Sequence, residues 1–131
     1  MPEALVSKIL IAPKFRYSQL VKAGHHYHVS GMLALDNNSG ELTAGGPGRE
    51  TAKILENLGL LLTEFNLQWQ HLAFARIYTT EFEKFAEINA AWEKVFDGSF
   101  APPARSSIGV SALPLGAAVE IEFTLYKADI N

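Results

Sequence analysis

Cysteine is absent from all 131 residues, which removes disulfide frameworks, Cys-bearing zinc sites, iron–sulfur clusters and thiol nucleophiles together. Any chemistry has to come from oxygen and nitrogen groups. Long apolar runs are also missing. The longest candidates, Leu58 to Leu62 and Leu113 to Val119, contain Gly or Pro and fall far below the roughly 20 residues that cross a bilayer, so no membrane partner is expected. Excess positive charge is lacking too: 11 Lys and Arg stand against 14 Asp and Glu, for a net charge of −3. That balance supplies no basic footprint for a phosphate backbone, and nucleic acid is not an expected partner. The opening Met1-Pro2-Glu3-Ala4-Leu5-Val6-Ser7-Lys8 puts an acid where a secretory leader carries cations and interrupts its apolar stretch with Lys8, so a cytoplasmic location is expected.

Apolar material is plentiful. Hydrophobic residues make up 48% of the chain and charged residues 19%, which suits one compact domain over residues 1–131 and leaves little room for two. Two segments show helical periodicity. In the first, about Arg49 to Phe65, the residues Ile54, Leu55, Leu58, Leu61, Leu62 and Phe65 recur every three or four positions. Glu50, Lys53, Glu56, Asn57 and Glu64 read as its wet side, Gly45-Gly46-Pro47-Gly48 as a breaker before it, and Asn66 as its exit. The second, about Phe82 to Phe96, carries the stripe Phe82, Phe85, Asn89, Trp92 and Phe96.

Strands are expected at Val6 to Ile11, Tyr17 to Lys22, His26 to Ser30, His71 to Thr79, Arg105 to Ser111 and Val119 to Lys127. The last alternates most clearly, with Val119, Ile121, Phe123 and Leu125 against Glu120, Glu122, Thr124 and Tyr126. Asp36-Asn37-Asn38-Ser39-Gly40 is turn chemistry. The order β-β-β-α-β-α-β-β argues an α+β fold, a mixed sheet with two helices on one face. The other face would carry neutral or apolar residues, with His28 or Val29, Ala73 or Phe74, and Gly109 as candidates. Burial against further copies is the simplest way to cover it.

Arg105 follows Ala101-Pro102-Pro103-Ala104, a stiff lead-in that delivers it near a strand start beside the small residues Ser107 and Gly109. It could fork onto a ligand carboxylate, or it could be a surface strand arginine. Glu120 could orient or deprotonate a water, or be a solvated edge-strand acid or a salt-bridge partner of Arg105. A hairpin centred on Pro114 to Gly116 would set Glu120 across from Val110 and Arg105 across from Leu125. Asn89 interrupts an aromatic stripe, so its amide should meet a loop carbonyl or a ligand. Tyr17 could close a polar pocket. His26 and His28 share a strand face, but no third ligand stands nearby and no metal is expected. The glycine cluster before the first helix lacks the Lys-Ser/Thr pair of a phosphate loop. No serine sits in a Gly-x-Ser-x-Gly frame.

These pieces together resemble the RidA/YjgF family. The likeness runs through Tyr17-Ser18-Gln19, Val21-Lys22-Ala23-Gly24, Val29-Ser30-Gly31, Leu35-Asp36, Ser39-Gly40-Glu41-Leu42 and Glu56-Asn57-Leu58. It continues through Ile88-Asn89, Pro102-Pro103-Ala104-Arg105-Ser106, Ala112-Leu113-Pro114 and Val119-Glu120-Ile121-Glu122. The resemblance implies a chorismate-mutase-like fold, a homotrimer with pockets at subunit interfaces, and no cofactor. It implies a 2-iminobutanoate/2-iminopropanoate deaminase that hydrolyses reactive enamine/imine intermediates to 2-keto acids and ammonia. By that likeness Arg105 and Glu120 are catalytic, Arg105 gripping the substrate carboxylate and Glu120 positioning the water. Tyr17, Ser30, Gly31, Asn89 and Ser107 would line the pocket with them. The alternatives are a protein that binds small keto acids without turnover and an endoribonuclease or translation inhibitor. The chain departs from the usual pattern at Phe15-Arg16, where the family commonly has Gly-Pro, at Met32, where it has Gln, and at Ser107, a frequent cysteine.

Overall fold

The computed structural model describes residues 1–128. The elements are β1 (Glu3–Leu5), β2 (Leu20–Ala23), β3 (His26–Met32), α1 (Pro47–Glu64), β4 (Leu72–Thr79), α2 (Phe85–Val95), β5 (Ala104–Gly109) and β6 (Val119–Tyr126). They build one sheet in the order β1-β2-β3-β6-β4-β5. Only the β4–β5 pair is parallel. This is the mixed α+β arrangement the element order implies.

Alternation in β6 sets the two faces. Val119, Ile121, Phe123 and Leu125 are buried with Ala75 and Ile77 of β4 and with Ile54, Leu55, Leu58, Leu61 and Leu62 of α1. The intervening residues face away from the helices, as a period of two requires. His28 and Phe74 stand on this open face, being paired with Thr124, whereas Val29 belongs to the core. Gly109 does not stand there either: it pairs with Thr79 on the helix side, and Ile108 takes the outward position.

Several boundaries differ from the sequence reading. Val6 to Ile11 is not a strand, because the Ser7 hydroxyl accepts the N–H groups of Ile9 and Leu10 and turns the chain. Tyr17 precedes β2 in a turn where its N–H donates to the Phe15 carbonyl. α1 starts at Pro47, whose missing N–H costs nothing in the first turn. Residues 82–84 form a separate 3-10 turn before α2. In α2 the fully buried position is Ile88, and Asn89 beside it is half-buried.

Glu50 and Asn57 are not on the wet side of α1. They are 4% and 3% exposed, because each polar tip replaces a backbone partner. Glu50 accepts from Ala118 N–H at 2.9 Å and from Val119 N–H at 3.2 Å. Asn57 donates to the Leu35 carbonyl and accepts from the Asn37 amide, both at 2.9 Å. Burial raises the Glu50 carboxyl above its ordinary range, opposed by those two N–H groups and helped by Glu81. Glu50→Ala strands the Ala118 and Val119 donors, and denaturant unfolding at fixed protein concentration should register a loss of about 1–3 kcal/mol. Glu50→Gln keeps an acceptor and should lose less. Because the folded-state pKa is raised, ionisation weighs against the fold as pH climbs past the ordinary glutamate value. The Gln variant should therefore gain on the parent with rising pH.

Candidate functional site

β3 and β6 pair out of step between Val29 and Met32, and Gly31 lies in that irregular stretch. Its bare Cα makes room for Glu120: a methyl group built on Gly31 would overlap the Glu120 carboxylate. A side chain at Gly31 would therefore push the Glu120 carboxylate out of this position. Glu120 points into a cavity of about 450 Å³ whose walls include Tyr17, Ser30 and Gly31. Among the described residues nothing donates a hydrogen bond to its carboxylate. Burial, and then the negative charge of Glu122, raise its pKa above the usual glutamate range. It is a half-buried carboxylate ready to take a proton.

The cavity's roof is the segment from Leu10 to Tyr17, held by polar links that the sequence reading missed. Ile11 N–H donates to the Asn37 side chain at 3.0 Å, Gln19 Nε2 donates to the Ile11 carbonyl at 2.8 Å, and Asn37 is tied in turn to Asn57. Nothing local in the sequence signals these links, because Asn37 and Asn57 meet Ile11 and Leu35 only after folding. The Ser30 hydroxyl is committed to the Ser18 carbonyl, fixing the same roof from below. The expected Asp36 turn forms: its carboxylate accepts from Asn38 and Ser39 N–H groups, and Gly40 takes φ 75°.

Arg105, Ser107 and Asn89 lie elsewhere. Arg105 pairs in register with Ala75, and Ser107 with Ile77, both core-side positions, so these two side chains lie on the helix side of the edge strand. The Arg105 guanidinium sits 5.5 Å from the Phe85 ring centre and 5.2 Å from that of Trp92 on α2. Asn89 falls between those aromatics on the same helical face. Desolvation there lowers the Arg105 pKa, partly offset by Glu93. Glu120 pairs with Tyr78 and shares the open face with Glu122. Arg105 and Glu120 therefore stand on opposite faces of the sheet within one chain, with β4 between their strands.

The expected hairpin is absent. β5 runs parallel to β4, and β6 pairs with β3 and β4 instead, because the linker of 110–118 carries the chain over β4 rather than turning it back. On the open face, Arg76 and the Tyr78 hydroxyl both donate to Glu122 Oε1, at 3.0 and 2.7 Å. The sequence reading did not single out either residue. His26 and His28 do share that face, their rings 6.3 Å apart. No group of three or more His, Asp or Glu gathers among the described residues.

Comparison with known proteins matches residues 8–127 to the family model described as Endoribonuclease L-PSP. A RutC family protein of Aquifex aeolicus is 33% identical over 111 residues, covering 85% of this chain and 88% of its own. The 2-iminobutanoate/2-iminopropanoate deaminase of Bos taurus is 33% identical over 124 residues, covering 91% and 89%. The crystal structure of RidA from an Antarctic Psychrobacter bacterium superposes with a TM-score of 0.86 at 29% identity, over 95% of this chain and 99% of that one. With the family model matched over residues 8–127 and these relatives covered over most of their length, the chain belongs to the RidA/YjgF family.

Proposed function

We propose that the protein hydrolyses 2-imino acids to 2-keto acids and ammonia, at sites that form between copies of the chain. The observation that carries this reading is the Glu120 carboxylate, half-buried, without a hydrogen-bond donor among the described residues and facing a cavity. An imine carbon is already electrophilic, so the protein has to supply orientation and proton movement rather than a strong nucleophile. Glu120 takes a proton from water as the water oxygen bonds to C2, and the C=N electron pair moves to nitrogen. The proton passes to that nitrogen. The new hydroxyl then gives its proton, by way of Glu120, to the amino nitrogen; as the C=O double bond forms the C–N bond breaks, ammonia leaves, and the 2-keto acid remains. The likeness to mammalian proteins named as imine deaminases supports this chemistry.

Arg105 is the proposed carboxylate grip, its fork matching two oxygens. Since it and Glu120 occupy opposite sheet faces of one chain, the Arg105 that serves a given Glu120 comes from a second copy. Asn89 and Ser107 travel with Arg105, whereas Tyr17, Ser30 and Gly31 stay with Glu120. A homotrimer supplies three such sites and covers the open sheet face, and sedimentation at micromolar concentration should give its mass; a monomer mass would remove the composite site. Co-assembling Arg105→Lys with Glu120→Gln chains should return about a quarter of the parent sites, because each mixed cyclic trimer regains one. A site contained in one chain would show no recovery above the residual rates of the two variants.

The direct test is ammonia release from imine generated in place by an amino-acid dehydratase. Tight binding of keto acid with no ammonia release would instead make the protein a carboxylate-binding module.

A further inference from the structure

The Glu120 cavity is larger and more apolar than a substrate with a one- or two-carbon side chain can fill. Its volume of about 450 Å³ lies in the range that encloses ligands well beyond that size. Away from Glu120 its walls are mostly apolar, Leu10, Phe15, Met32, Leu33, Leu61 and Leu115 outweighing the polar Lys14, Gln19, Asn37 and Asn57. Two of these, Phe15 and Met32, are among the positions, with Arg16 and Ser107, where the sequence departs from the pattern of the family it resembles. Both departures put an apolar side chain on the same cavity.

Two walls are exposed in a way that water does not reward. Phe15 is 80% and Leu115 57% exposed. Leu115 is held at φ 60° and ψ 17°, inside the turn Pro114–Gly116, a left-handed conformation that a leucine adopts at a cost. The turn's own backbone would be served better by glycine. A strained residue that presents hydrocarbon at the mouth of a cavity points to something apolar that it meets there.

We infer that the site selects 2-imino acids with a bulky apolar side chain, of leucine or phenylalanine size, over the small 2-iminopropanoate. This deepens the deaminase reading and rests on it for turnover. The carboxylate and the C=N group stay with Arg105 of one copy and Glu120 of another, while the side chain lies against Phe15, Met32 and Leu115. Methionine is suited to this wall because its unbranched thioether adapts to different shapes.

The test generates imines from alanine, leucine and phenylalanine with an amino-acid oxidase and catalase, and follows imine loss with and without the protein. Each additional buried methylene discriminates substantially, so kcat/KM for the leucine or phenylalanine imine should exceed that for the alanine imine by about tenfold or more. In Met32→Gln and in Leu115→Gly this ratio should fall toward one. Leu115→Gly also folds without difficulty, because glycine accepts φ 60° freely, so its result is not confounded by misfolding. Equal or faster hydrolysis of the alanine imine, or a ratio unmoved by both variants, would overturn the inference while leaving the deaminase reading intact. If no imine is hydrolysed, calorimetry with 4-methyl-2-oxopentanoate and pyruvate decides: preference for the larger keto acid keeps the apolar selectivity and discards turnover, and no preference discards both.

Discussion

Glu120→Gln should slow imine hydrolysis by about 10²- to 10⁴-fold, the usual range for a positioned general base. The amide is nearly the same size and can still accept a hydrogen bond from water, but it cannot take the proton. The neighbouring geometry should survive, since the carboxylate accepts no hydrogen bond from any described residue and rests over Gly31, where no side chain competes for the space. Keto-acid binding should remain measurable. The pH profile gives an independent readout. Burial and Glu122 hold the Glu120 carboxyl above its ordinary range, and the base works only when ionised. Activity should therefore rise with pH through that elevated pKa, with the rising limb displaced upward from a normal glutamate, and the limb should vanish in the Gln variant. A variant that turns over like the parent would make Glu120 a structural strand acid, and the water would have to be activated elsewhere.

Arg105→Lys keeps the charge and removes the fork. Losing one of two charge-assisted hydrogen bonds to the substrate carboxylate should cost about 1.5 to 3 kcal/mol, roughly ten- to a hundredfold in kcat/KM, as the imine carbon drifts from the Glu120 water. Lysine also gives up the planar contact with Phe85 and Trp92, which orients the guanidinium at the sheet edge. Folding should hold, because Arg105 is exposed in the single chain. Thermal midpoint, assembly mass and deaminase rate belong on one preparation. Unchanged activity would sink the carboxylate assignment. Loss of activity together with loss of assembly would identify Arg105 as an interface residue, and keto-acid binding would then be the measure of its substrate role.

Sequence alone determined the pieces whose physics is local. The period of two in Val119 to Tyr126 fixed β6 and put Glu120 and Glu122 on one face, and the apolar recurrence from Ile54 to Leu62 fixed the buried side of α1. Asp36 through Gly40 announced their turn. The absence of cysteine limited the chemistry to oxygen and nitrogen groups. The proline-led arginine and the closing acidic strand were also legible as local patterns.

Tertiary structure decided everything that depends on which strand lies beside which. The turn residues Pro114 to Gly116 suggested a hairpin between the strands of Arg105 and Glu120. Parallel pairing of β5 to β4 instead put the arginine on the helix side and the carboxylate on the open side. Glu50 and Asn57 looked like solvated helix positions because a polar side chain carries no mark of its partner. Only the fold brings Ala118, Val119 and Leu35 within their reach. The roof over Glu120, pinned by Asn37 and Gln19 across long sequence separations, was equally invisible. Hydrophobic period is set by each residue's own neighbours along the chain, whereas pairing, polar satisfaction and cavity shape come from residues that meet only after folding.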